Sequence, residues 1–101
     1  MNISANELSS RFEHSEIINI IDVRSGLEFH TYNIGGINIP IGNLPDIIDG
    51  LELNKNSELI VVCQHGIRSE TARRILISHG FTNIKNLTGG LLAYQKLNIK
   101  Y

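Results

Sequence analysis

The chain has 101 residues, 42% hydrophobic and 19% charged, with a formal net charge of −1, the make-up of one domain (1–101) large enough to bury a core without staples. That charge leaves no footprint for nucleic acid, and no apolar run approaches the roughly 20 residues that span a bilayer, so neither is an expected partner. A single cysteine excludes an internal disulfide, and with no basic-then-apolar leader over residues 1–7 the expected location is cytoplasmic.

Taken in order, Ile3 opens a short edge strand and Ser4 caps a first helix, with Glu7 three residues on as in a capping box. Leu8 and Phe12 face the core at i, i+4 spacing. Ile17 to Val23 reads as a second strand, apolar almost throughout and therefore central. Ser25 to His30 predicts a short helix, ended before the turn Tyr32-Asn33-Ile34-Gly35-Gly36. Ile37 to Pro40 is a brief strand, and Gly42 to Leu51 carries a helical pattern in Leu44, Ile47, Ile48 and Leu51. Leu59 to Val62 is a buried strand. Arg68 to His79 is the clearest helix, with Ala72, Ile75 and Leu76 on one face and Gly80 as its stop. Ile84 to Leu87 is a last strand, and after the turn Thr88-Gly89-Gly90 a helix over Leu91 to Leu97 aligns Leu91, Tyr94 and Leu97. Strands alternating with helices argue for an α/β domain with a mainly parallel sheet.

The chemistry centres on Cys63, which the strand Leu59–Val62 delivers into the loop Gln64-His65-Gly66-Ile67-Arg68 just where a helix opens. A lone buried cysteine is ordinarily a small hydrophobe. Here the loop and the first helical turn offer unpaired N–H groups that converge above the strand end, a position that favours the anionic form of the sulfur. Ligands of open α/β sheets also bind beyond the carboxyl ends of the strands. Arg68 keeps its charge beside this point, and either binds an anionic substrate or braces the loop. His65 reads as a solvent-facing loop residue. Asp22 and Arg24, at the end of the second strand, suit a structural ion pair near the site, and Glu70 and Arg74 form an i, i+4 helix pair. His14, His30, His65 and His79 match no zinc spacing, so no metal is expected. No Gly-x-Ser-x-Gly elbow supports serine hydrolysis. Gly35-Gly36 and Gly89-Gly90 read as tight turns.

Ile21-Asp22-Val23-Arg24, Glu28-Phe29, Asn38-Ile39-Pro40, Cys63-Gln64-His65-Gly66-Ile67-Arg68-Ser69 and Thr88-Gly89-Gly90-Leu91-Leu92-Ala93-Tyr94 together resemble the rhodanese (thiosulfate sulfurtransferase) homology domain, in order over about residues 20–95. Two departures stand out: the family's Gly-His-Ile-x-Gly-Ala turn lacks its His here, and the late aromatic, often Trp, is Tyr94. The resemblance implies a three-layer domain with a five-stranded, mainly parallel sheet flanked by helices. It implies Cys63 as the catalytic persulfide carrier and Gln64, His65, Gly66, Ile67, Arg68 and Ser69 as the substrate-binding loop. The expected reaction is ping-pong transfer of sulfane sulfur, with no metal or organic cofactor, from a small anionic donor such as thiosulfate. The acceptor is cyanide or an external thiol, on a small molecule or a protein, because the chain has no second cysteine to resolve the persulfide. Two other classes compete. A cysteine phosphatase needs five residues between Cys and Arg, where Cys63 and Arg68 enclose four; a non-catalytic binding module would be expected to lose the cysteine or disrupt its loop.

Overall fold

The computed structural model describes residues 1–97. Five strands, β1 (Asn2–Ile3), β2 (Ile20–Asp22), β3 (Ile37–Asn38), β4 (Leu59–Val62) and β5 (Ile84–Leu87), form one sheet in the order β1-β5-β4-β2-β3. Every neighbouring pair is parallel. Parallel strands need crossover connections, and α1 (Ala5–Glu13), α2 (Gly26–Thr31), α3 (Leu44–Ile47) and α4 (Ile67–Ser78) lie in them, while α5 (Gly90–Leu97) follows the last strand. Period-two alternation splits the core between the two faces of β4. Leu59, Val61 and Cys63 pack with Leu44, Ala72 and Leu76 on the face of α3 and α4. Ile60 and Val62 pack with Ile3, Leu8, Leu87 and Leu91 on the face of α1 and α5. The sheet and its two helical layers match the architecture expected from the sequence.

Four local expectations are corrected. The second strand spans only Ile20–Asp22, and Ile17 is 96% exposed. Its pairing with β4 begins at Ile20 opposite Ile60, and the preceding chain is still turning out of α1, with Ser15 at φ 60° and Glu16 bound to Arg11. Gly42–Leu51 is not one helix but a single α-turn between 3-10 turns at Ile41–Asn43 and Ile48–Gly50. Pro45 has no N–H to send back to residue 41, so an α-helical start there is blocked, and only Leu44 and Ile48 are buried. Leu97 is 40% exposed; steps of three residues drift around a helix, which carries it off the face of Leu91. Finally, Ser4 caps α1 by accepting from the Glu7 N–H, whereas the reciprocal capping box forms at α2, between Ser25 and Glu28.

Candidate active site

β4 is flanked on both sides, by β5 and β2, so the chain leaving it at Cys63 emerges at the middle of the carboxyl rim. The loop turns back at Gly66, whose φ of 95° lies in the left-handed region where a side chain would be strained. That turn brings two N–H groups onto the sulfur. Gly66 N donates to Cys63 Sγ at 3.1 Å and Ser69 N at 3.3 Å, with the Ser69 hydroxyl 3.2 Å away. Gly66 is the N-cap residue of α4 and the helix has no side-chain cap hydrogen bond. The sulfur takes that place, since Ser69 is the third helical residue, whose N–H a capping oxygen ordinarily binds. Cys63 is 1% exposed, so the sulfur lies beneath the loop rather than on the surface.

Four tethers hold the loop. The N–H groups of Leu91 and Leu92, at the start of α5, donate to the carbonyls of Cys63 and Gln64 at 2.8 and 3.1 Å. Because trans peptides point C=O and N–H in opposite directions, this turns the N–H groups of Gln64 and His65 away from α5. The approach is so close that a Cβ on Gly90 would fall 2.3 Å from the Gln64 carbonyl oxygen. From β5, Asn86 accepts from the Ser69 hydroxyl and donates to the Gly66 carbonyl at 3.0 Å. From α2, Glu28 takes both terminal nitrogens of Arg68, at 2.8 and 2.9 Å. This guanidinium, helped by Ser25 and opposed by desolvation, holds the Glu28 carboxyl down at about 2, and Glu28 in turn raises Arg68.

Beside the loop, Asp22 and Arg24 form the expected ion pair, fully buried, with Nη2 to Oδ2 at 2.7 Å. Burying two charges is favourable only when their remaining hydrogen-bonding capacity is met. Here it is: Asp22 also accepts from the Arg24 backbone N–H, Arg24 also donates to the Tyr32 carbonyl, and no buried side-chain nitrogen or oxygen among the described residues lacks a partner, while Asn38 ties the carbonyls of residues 22 and 24. Between this pair and the loop lies a cleft of about 380 Å³, lined by Arg24, Leu27, Glu28, Tyr32, Gln64 and Gln95.

Of the residues singled out in the sequence, Cys63, Gly66 and Ser69 meet at the sulfur, and Gln64 faces the cleft. His65 is exposed, as expected, and Ile67 is 76% exposed. Arg68 points to α2. Glu70 pairs with Arg74 on the surface and also with Arg73. Three participants were missed: Glu28, Asn86 and Gly90. The signals lay in plain view for two of them, since Ser25-x-x-Glu28 is a capping-box pattern and Gly89-Gly90 opens a helix. No three His, Cys, Asp or Glu side chains gather as metal ligands would among the described residues, and none of their helices is long and apolar enough to cross a membrane.

Comparison with known proteins gives the family of this fold. The chain is 33% identical over 97 residues to the thiosulfate sulfurtransferase GlpE of Shewanella oneidensis, covering 95% of this chain and 93% of that protein. It is 33% identical over 90 residues to the putative sulfur carrier protein YrkF of Bacillus subtilis, covering 88% of this chain and 48% of that one. The crystal structure of a rhodanese-like domain protein from Staphylococcus aureus superposes with a TM-score of 0.81 at 30% identity, over 93% of this chain and 91% of that one. Residues 4–97 match the rhodanese-like domain, and the chain belongs to that family.

Proposed function

We propose that this protein is a sulfurtransferase in which Cys63 carries sulfane sulfur as a persulfide. The Cys63 thiolate attacks the outer sulfur of thiosulfate or a related donor; the donor's S–S bond breaks and sulfite leaves with its electron pair. An external thiolate or cyanide then attacks the terminal sulfur, and the Cys63 thiolate is the leaving group. The observation that carries this reading is the sulfur's place at the helix cap, where the Gly66 and Ser69 N–H groups point at it. Backbone N–H groups aimed at one point stabilise negative charge there, and would do the same for the persulfide anion. Relatives named as a sulfurtransferase and a sulfur carrier support the same chemistry. A phosphatase reading finds no support, because it needs a free guanidinium to grip the phosphoryl oxygens and Arg68 gives both terminal nitrogens to Glu28.

The covalent intermediate supplies the test. Incubating the reduced protein with thiosulfate should add one sulfur atom, about 32 Da, that cyanide or dithiothreitol removes and that Cys63→Ser never acquires. A folded, reduced protein that takes up no sulfur from thiosulfate, glutathione persulfide or a protein persulfide would leave a binding module as the better account.

A further inference from the structure

We propose that Asn86 is a positioning residue for the Cys63 thiol, because its amide fixes which way the single proton of the Ser69 hydroxyl points. Asn86 is buried on β5 and touches the loop twice. Its Nδ2 lies 3.0 Å from the Gly66 carbonyl oxygen. A carbonyl only accepts, so the amide nitrogen must face Gly66 and the amide oxygen must face Ser69. That oxygen only accepts as well, so the short Ser69 Oγ–Asn86 Oδ1 contact consumes the one proton that the hydroxyl has. A lone pair of Ser69 is then left facing Cys63 Sγ across 3.2 Å.

An S–H group meets that lone pair favourably, completing a chain from Cys63 through Ser69 to Asn86. An anionic sulfur meets it unfavourably. For the thiolate, the hydroxyl has to rotate onto the sulfur and leave the buried Asn86 oxygen without its proton, which is costly. Asn86 therefore competes with the sulfur anion for the hydroxyl and opposes the two backbone N–H groups. The Ser69 rotor is thus the element that changes partner when the sulfur becomes charged.

The proposal rests on Cys63 being the working thiol of the sulfurtransfer reading, but its test needs no sulfur donor. Since Cys63 is the only cysteine, the rate of alkylation by iodoacetamide at neutral pH reports it alone. Asn86→Ala should alkylate several-fold faster than the parent, because the hydroxyl is released to the sulfur. In a Ser69→Ala background the same change should accelerate alkylation much less, since no rotor remains and only the Asn86–Gly66 tether is lost. Asn86→Asp, which keeps an acceptor and binds the hydroxyl more strongly, should slow alkylation, and slow it more with Ser69 present than absent; this arm decides if Asn86→Ala fails to fold. A residue that merely braced the loop would change the rate equally in both backgrounds, and that result, or an Asn86→Ala variant no faster than the parent, overturns the proposal. Sulfur loading from thiosulfate, read separately by mass, fails or succeeds independently.

Discussion

Arg68 and Glu28 show what a single residue's commitment does to a site. The sequence left Arg68 two roles, and the geometry supports bracing: both terminal nitrogens bind a carboxylate on another helix. A dianionic donor approaching the loop therefore meets a compensated pair rather than a free cation. Glu28→Gln should raise kcat/KM for thiosulfate, more at low ionic strength than at high, and steady-state kinetics at two salt concentrations would show it. The same pair sets an acid limit. Glu28 titrates at about 2 when folded, below the carboxylate value of roughly 4.3 in an unfolded chain. Its stabilising contribution is thus complete above about pH 4.3 and disappears as pH falls through about 2. Urea midpoints measured down that range should fall less steeply in Glu28→Gln than in the parent; parallel curves would show that the pair contributes nothing.

At the scale of elements, the sulfur is also a structural atom, because it caps α4. Cys63→Ser keeps an acceptor for the Gly66 and Ser69 N–H groups, whereas Cys63→Ala removes it. The alanine variant should be less stable than the serine one by about 1 kcal/mol, the usual worth of a cap, as denaturant titration would record. The junction of β5 and α5 is less forgiving. Gly90 sits at φ 67° with two loop carbonyls against it, from Cys63 and Gln64. Gly90→Ala must move backbone, at about 1–3 kcal/mol, and should slow sulfur loading as well because the loop shifts with it. These elements also mark what could be read beforehand. The strand–cysteine–helix unit was legible because its apolar run and helical period are continuous in sequence. The strand at residues 17–23 was overread, since an apolar run does not show where pairing with β4 starts. Asn86 was illegible for a different reason: its partners lie 17 and 20 residues away, and only the sheet brings them together.

Across the whole molecule, the strand order makes the loop the point where most of the fold converges. β5, α5 and α2 each send a tether to it, and β4 beneath it is buried along its whole length. The other end of the sheet is closed by charge, where Glu58 binds both Arg11 and Lys85. This convergence keeps Cys63 at 1% exposure. Two copies cannot bring their sulfurs to the roughly 2.05 Å of an S–S bond without opening the loop. The native protein treated with diamide should therefore stay monomeric on a non-reducing gel, while the same treatment in urea should give disulfide dimers. Abundant dimers without denaturant would mean that the loop opens freely.

The contacts that fix the loop use the backbone of Cys63, Gln64, Gly66 and Ser69, the Ser69 hydroxyl and the guanidinium of Arg68. The side chains of Gln64, His65 and Ile67 have no part in them: Gln64 lines the cleft, while His65 and Ile67 stand in solvent. The site is thus a rigid frame carrying three replaceable inserts. If the protein transfers sulfur as proposed, substitutions there should change the preference among donors and acceptors while the sulfur's own environment stays the same, so recognition and chemistry would be free to evolve, or be engineered, separately.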